Sequence, residues 1–275
     1  MGMSPFVTAF IVSFELLLVL TGAILLWQLA LSPAARAKSA SSPLPRWEIP
    51  FSGFLLFLWC VLISGVAGQY LAQQILQRMP GVTPDTRLVM ASCGFQLGLL
   101  AGCLAFRRLS LARAAETAWT PTPHHPVIGG VVTFLIALPL VMALGLSWQY
   151  LLEKLGLPIE SQDIIALFTQ AESPVEVVIL TVFATVIAPI TEELIFRAGF
   201  FRYARNRLPR WAALLLPACF FAMLHLNLAS FAPLVVLGVL LSLAYERTGR
   251  IFVPIIAHGL FNLNTVLLLL AGVNA

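Results

Sequence analysis

The chain has 275 residues, of which 60% are hydrophobic and only 10% charged. Soluble domains carry about 25% charged residues, so this composition excludes a water-soluble globule and any large extramembrane domain. The formal charge of +4 does not point to nucleic acid, because basic residues in a membrane chain gather in loops and set orientation; the expected partner is the lipid bilayer.

A bilayer-spanning helix needs about 20 mostly apolar residues, and on that scale the chain reads as an all-α polytopic membrane protein of about eight transmembrane helices. The first run extends from Pro5 to Leu31. It lacks a basic leader and is longer than a signal-peptide core, so it is expected to remain as a span. Phe6 stands where a myristoylation signal after Gly2 would need Ser or Thr, so no lipid anchor is indicated. Glu15 lies in this span with no partner legible in the sequence.

The connection from Ser32 to Pro50 is rich in Ser, Ala and Pro and reads as a flexible linker. Further spans are expected at Phe51 to Leu76, Leu88 to Phe106 and Val127 to Leu152. Between the last two, three prolines surround His124 and His125, a pair that reads as solvated rather than metal-binding. Cys60, Cys93, Cys103 and Cys219 lie in apolar runs without ligand-like spacing and read as packing residues.

The second half continues with spans at Val175 to Phe196, Trp211 to Leu226, Leu228 to Tyr245 and Ile251 to Ala271. The sixth and seventh are short and share one apolar stretch, so they read as a tight hairpin or as one bent element. Counted from Trp211, His225 would lie about 21 Å along its helix and His258 about 10 Å along the last one. Starting the membrane part at Pro217 brings His225 to about 12 Å, so Trp211 to Leu216 are expected near the interface.

Charge alternation agrees with eight crossings. Arg36, Lys38 and Arg46, then Arg107, Arg108 and Arg113, then Arg202, Arg205, Arg207 and Arg210, then Arg247 and Arg250 occupy the odd-numbered loops, twelve of the sixteen Lys and Arg. Arg78, Arg87 and Lys154 fall on the other side. Both termini are therefore expected outside the cytoplasm, in a bacterial cytoplasmic membrane or its equivalent. By region, 1–126 reads as an N-terminal three-span part with a cytoplasmic loop. The core is 127–275, with the chemistry-bearing part at 175–271.

Ionisable residues inside hydrocarbon cost at least about 2.5 to 3.5 kcal/mol on insertion scales, so each marks a candidate site. In Ala188-Pro-Ile-Thr-Glu-Glu-Leu-Ile-Phe-Arg197, Glu193 and Arg197 are four apart, the favourable order for a helical ion pair. Glu192 points about 100° away and is left for other work; a carboxylate in a low-dielectric site suits a general base. Pro189 removes a backbone donor and loosens the preceding turn. Phe221 and His225 are four apart, and so are His258 and Asn262, which puts each pair on one helical stripe. Together these groups supply a base, an imidazole to share its proton and donors for an oxyanion. Buried Glu and His also serve proton-coupled transport or a non-proteolytic immunity or scaffold role. The polar residues crowd one half with no counterpart in the other, unlike transporters built from paired halves.

The ordered motifs Glu192-Glu193-x-x-x-Arg197, Phe221-x-x-x-His225 and His258-x-x-x-Asn262, with Tyr245 and Thr248-Gly249 before the last, resemble the CPBP intramembrane endopeptidases. This is the family of type II CAAX prenyl proteases and bacteriocin-processing enzymes. The resemblance implies a glutamate-type endopeptidase acting on membrane-tethered protein or peptide substrates, prenylated CAAX-like ones among the candidates. In it Glu192 and His225 activate a water, His258 and Asn262 hold the oxyanion, and Glu193 and Arg197 support the site. No cofactor is expected. The alternative is a metalloprotease form, with Glu192, His225 and His258 holding a divalent ion such as zinc; the metal-free form is favoured because a zinc site would consume the base.

Overall fold

A computed structural model describes residues 5–37, 42, 44–80, 83–111, 125–160, 163–171 and 173–272. Among them the regular elements are helices only. In chain order these are α1 (Pro5–Leu26), α2 (Pro33–Ala37), α3 (Phe51–Gln77), α4 (Pro84–Leu111), α5 (Pro126–Lys154), α6 (Asp163–Gln170), α7 (Pro174–Val182), α8 (Ala188–Glu193), α9 (Arg202–Arg205), α10 (Arg210–Met223), α11 (Leu228–Thr248) and α12 (Phe252–Leu270). His124 of the Pro-rich pair lies outside the described residues, and His125 immediately precedes α5.

Among the described residues, seven helical runs are long and apolar enough to cross a bilayer: Phe6–Leu31, Phe51–Gln77, Thr86–Ser110, Pro126–Lys154, Pro174–Arg205, Leu228–Thr248 and Phe252–Leu270. The chain is an all-α integral membrane protein. The expected sixth span is the short helix α10, of 14 residues. At 1.5 Å per residue that is about 21 Å, less than the roughly 30 Å of a hydrocarbon core. It continues through Pro217 without a break and stops at Met223 because the chain turns there. Leu226 adopts a left-handed φ of 48°, and Asn227 caps α11 by accepting from the Ser230 N–H at 2.9 Å. The apolar stretch is thus two helices separated by a tight turn, not one bent element.

The chain divides into two compact units, each discontinuous in sequence: Met1–Leu44, Thr122–Gln162 and Leu214–Ala275 form the first, Pro45–Pro121 and Asp163–Ala213 the second. In the first unit α5 is central, with α1, α11 and α12 packed on it. Phe134, Leu138, Val141, Leu237, Leu241 and Ala257 form its core. Small residues set the approach: Gly22 of α1 lies against the Leu135 carbonyl of α5, and Gly130 of α5 faces Ile256 of α12. Glu15 has a partner after all, on α12, since its Oε2 accepts from Asn264 Nδ2 at 3.3 Å.

In the second unit α3 and α4 pack along their length. Gly94, Gly98 and Gly102 recur every fourth residue on α4, and a Cβ on Gly98 would collide with the Ser64 carbonyl, one on Gly102 with that of Cys60. This is the small-residue stripe by which membrane helices approach without a hydrophobic driving force. Phe54, Phe57, Val61, Leu99, Cys103, Phe106 and Tyr203 fill the core.

The expectation of a flexible linker fails over its second half. Trp47 meets Phe57, Phe106 and Tyr203 edge-on, with centroids 5.8, 6.3 and 6.5 Å away. Arg202 Nε donates to the Pro45 carbonyl at 3.0 Å, and Arg207 Nη2 donates to that of Ile49. A partly buried aromatic and two guanidinium groups outweigh the composition of the segment.

Candidate active site

The run from Pro174 to Arg205 starts at Ser173, whose side chain accepts from the Glu176 N–H at 3.2 Å. It is helical throughout but twice widens into π-helical turns, at Phe183–Ile187 and at Leu194–Phe201. The first widening directly precedes α8, where Pro189 has no N–H to give to the turn behind it, as expected from the sequence. Such wide turns are frequent at functional sites. The two acids thus lie on a short α-helical segment between two widened ones.

Glu193 and Arg197 form an ion pair of 2.7 Å, with side chains 0% and 1% exposed. Thr191, also buried, donates from its hydroxyl to the Ile187 carbonyl at 2.9 Å. A pair buried this completely is costly to break, because removing one partner strands the other's charge and destabilises by about 3–5 kcal/mol. Glu192 is only partly buried. It is not independent of the pair, however: Arg197 lies in the field of Glu193 first and of Glu192 second. The neighbouring acids nonetheless occupy different surroundings, one sealed and one partly buried, which follows from their 100° offset.

The imidazoles stand in the first unit. His225 is not on the helix, contrary to the spacing argument, but in the turn just beyond Met223, where its N–H donates to the Ala222 carbonyl at 3.2 Å. The Phe221 relationship survives because a final turn keeps near-helical geometry: the two rings are 4.8 Å apart at 67°. Nδ1 of His225 lies 2.8 Å from the Phe221 carbonyl. A carbonyl only accepts, so Nδ1 carries the hydrogen and the opposite nitrogen, Nε2, is the basic one in a neutral ring.

His258 is 2% exposed, and its ring meets Phe221 edge-on at 5.8 Å. Phe221 therefore touches both imidazoles, with its own side chain 1% exposed. Asn262 follows His258 by one helical turn on α12 and is partly buried. Upstream, Tyr245 is buried on α11, and Gly249 ends that helix with φ 64° as its N–H donates to the Tyr245 carbonyl at 2.8 Å. The left-handed conformation explains glycine at that place.

Glu192, Glu193 and Arg197 belong to the second unit, and Phe221, His225, His258 and Asn262 to the first. Within the first unit, among the described residues, no third His, Cys, Asp or Glu joins His225 and His258 in a metal-binding group. A break near Asn227 was among the expected alternatives, but the helix stops earlier, at Met223; the Glu15–Asn264 bond was not anticipated and has no local sign.

Residues 174–264 match the family described as type II CAAX prenyl endopeptidase Rce1-like. That segment contains all three motifs, so the resemblance they carry is borne out there. Over 79 residues the chain is 37% identical to UPF0177 protein YbdI of Lactococcus lactis subsp. lactis (strain IL1403), which covers 28% of this chain and 42% of that protein. Over 147 residues it is 27% identical to the Bacillus subtilis (strain 168) protein named "Putative membrane peptidase YdiL", covering 54% of this chain and 58% of that one. The chain spans about half the length of the curated relatives it matches. No solved structure matches it. The motif-bearing segment thus resembles that of the type II CAAX prenyl endopeptidase family.

Proposed function

We propose that the protein is an intramembrane endopeptidase that hydrolyses a peptide bond of a membrane-tethered protein or peptide. Glu192 is the general base, His225 shares its proton, and His258 and Asn262 donate to the oxyanion. The observation that carries this reading is the contact of one buried ring, Phe221, with both imidazoles at 4.8 and 5.8 Å. The shared ring brings the two imidazoles to one surface, and preorganised donors stabilise developing charge.

In the reaction, Glu192 takes a proton from water as its oxygen attacks the carbonyl carbon. The resulting oxyanion is held by His258 and the Asn262 amide. When the C–N bond breaks, the proton passes from Glu192, by way of His225 Nε2, to the departing amine, giving a carboxylic acid and an amine. Glu193 and Arg197 touch no reacting atom in this scheme; their buried pair sets the helix that carries Glu192.

The metal-free form is favoured because a divalent ion held by Glu192, His225 and His258 would consume the general base. Alternating basic loops support both termini outside the cytoplasm, with α10 serving as a short crossing.

The test is cleavage of a peptide library, with CAAX-like prenylated members included, by the purified full chain in lipid nanodiscs. Wild type is compared with Glu192→Gln, each with and without chelator. Loss of turnover in Glu192→Gln at unchanged folding is expected, as is indifference to chelator. Equal turnover in the two proteins would remove the assignment, and loss with chelator alone would convert it to the metal-dependent form.

A further inference from the structure

The turn that carries His225 has little support of its own. Leu224 and Leu226, on either side of the ring, are 70% and 92% exposed, and Leu226 is the only non-glycine residue among those described with a positive φ. The backbone bonds within the turn are all local: the N–H groups of Leu224, His225 and Leu226 donate to the carbonyls of Phe220, Ala222 and Met223 at 3.1, 3.2 and 3.0 Å. A segment with few buried contacts opens easily, whereas a group that relays a proton has to be held near its productive geometry. The position of His225 must therefore be fixed from outside the turn.

Asn227, two residues on, makes the fixing contact. Its Oδ1 accepts from the Ser230 N–H at 2.9 Å and from the Ser230 hydroxyl at 2.8 Å, which caps α11. Its Nδ2 donates to the Glu160 carbonyl at 3.1 Å, 67 positions away in sequence. A backbone N–H only donates and a carbonyl only accepts, so the amide has one orientation that satisfies both sides. The cap needs the oxygen alone, and Ser or Asp would supply it as well. The nitrogen is surplus to the helix end and serves the long-range tie.

The far side of that tie is well anchored. The chain reaches Glu160 from the end of α5, which is closed by Gly156 at φ 68°, with the Gly156 and Leu157 N–H groups donating to the Glu153 and Leu152 carbonyls, each at 3.0 Å. A second tie reaches the same helix one residue past Asn227, where the Leu228 carbonyl accepts from Trp148 Nε1 of α5 at 2.8 Å. α5 is also the helix on which α12, the carrier of His258, packs, with Gly130 against Ile256 and Ala257 inside the shared core. Both imidazoles are thus referred to one scaffold, His258 by packing and His225 by hydrogen bonds. Given the proton-sharing role proposed above for His225, we infer that Asn227 is its positioning residue: the bond from Nδ2 to the Glu160 carbonyl, seconded by Trp148 on Leu228, ties the His225 turn to the end of α5 and so sets His225 against His258.

The experiment uses the full chain in lipid nanodiscs with its histidine rings labelled for NMR. The chain has four histidines, and His225→Gln identifies the signal of His225. Asn227→Ser keeps a capping oxygen and withdraws the donor; Asn227→Asp keeps the oxygen and sets a second acceptor against the Glu160 carbonyl. Both are expected to unfold near the wild-type midpoint and to shift or double the His225 signal, with kcat for a peptide that wild type cleaves lowered roughly ten- to a hundredfold and KM held. Trp148→Phe, which keeps an aromatic ring and drops the N–H, should act in the same direction more weakly. An unchanged His225 signal in both Asn227 variants would overturn this role, as would full kcat, or a kcat that falls only in step with a lowered midpoint, the mark of a lost cap. Should wild type cleave no peptide, the protease reading fails by itself, and the ring signals still decide whether Asn227 holds His225.

Discussion

Glu15 Oε2 accepts a hydrogen bond from Asn264 Nδ2 at 3.3 Å, joining the first helix to the last across 249 positions of sequence. It closes a triangle. α1 meets α5 at Gly22, α5 meets α12 at Gly130, and the polar bond ties α12 back to α1. Asn264 lies about 200° around the helix from Asn262, so α12 is gripped on a face other than the one bearing His258 and Asn262.

Replacing Glu15 by Leu is therefore expected to lower thermal stability by about 1 kcal/mol, the scale of a polar contact between membrane helices. Glu15→Gln keeps an acceptor and should restore most of the loss. Unfolding midpoints of the two variants in one detergent check this, and equal midpoints would deny the bond any energetic weight.

The neighbouring acids Glu192 and Glu193 should separate cleanly in mutation. Glu192→Gln is expected to fold like wild type and lose about 10²–10⁴ in turnover, the usual contribution of a general base. Glu193→Ala leaves Arg197 charged and sealed, so a destabilisation of about 3–5 kcal/mol is expected, with activity lost through folding. Abundance and unfolding midpoint, measured beside turnover, distinguish the two.

Gly98 is the tightest point of the α3–α4 face, with the Ser64 carbonyl in the way of any side chain. Gly98→Val should force the helices apart and cost at least about 1–3 kcal/mol, the typical penalty of overpacking. Gly53, which meets only side-chain atoms at 3.5 Å or more, should accept Ala with little change. Comparing the two midpoints tests the stripe.

Leu226 carries a left-handed φ of 48° and is 92% exposed, beside His225. Proline cannot adopt that angle and would also remove the N–H that bonds the Met223 carbonyl at 3.0 Å, so Leu226→Pro should cost roughly 3 kcal/mol and displace His225. Asn tolerates the conformation, and Leu226→Asn is expected to keep both stability and turnover. A Leu226→Pro variant with a wild-type midpoint would contradict the turn.

The buried ion pair of Glu193 and Arg197 was readable because a four-residue spacing on a helix needs only local geometry, and the pair survives the π-helical stretch that begins at Leu194. The Phe221–His225 contact was readable for the same reason, although His225 stands past the helix end. The stop at Met223 was missed by following hydropathy alone; Asn227 and Ser230 carried the contrary signal.

Composition and apolar run length by themselves determined an all-α membrane protein, because hydrocarbon forces each crossing segment to satisfy its own backbone. Motif spacing determined which side chains share a helical face. Only the tertiary structure decided that Glu15 answers Asn264, that Trp47 locks the segment before α3, and that one buried ring, Phe221, meets two histidines. Those partners come from distant stretches brought together by packing, and no period along the chain encodes which ones will meet.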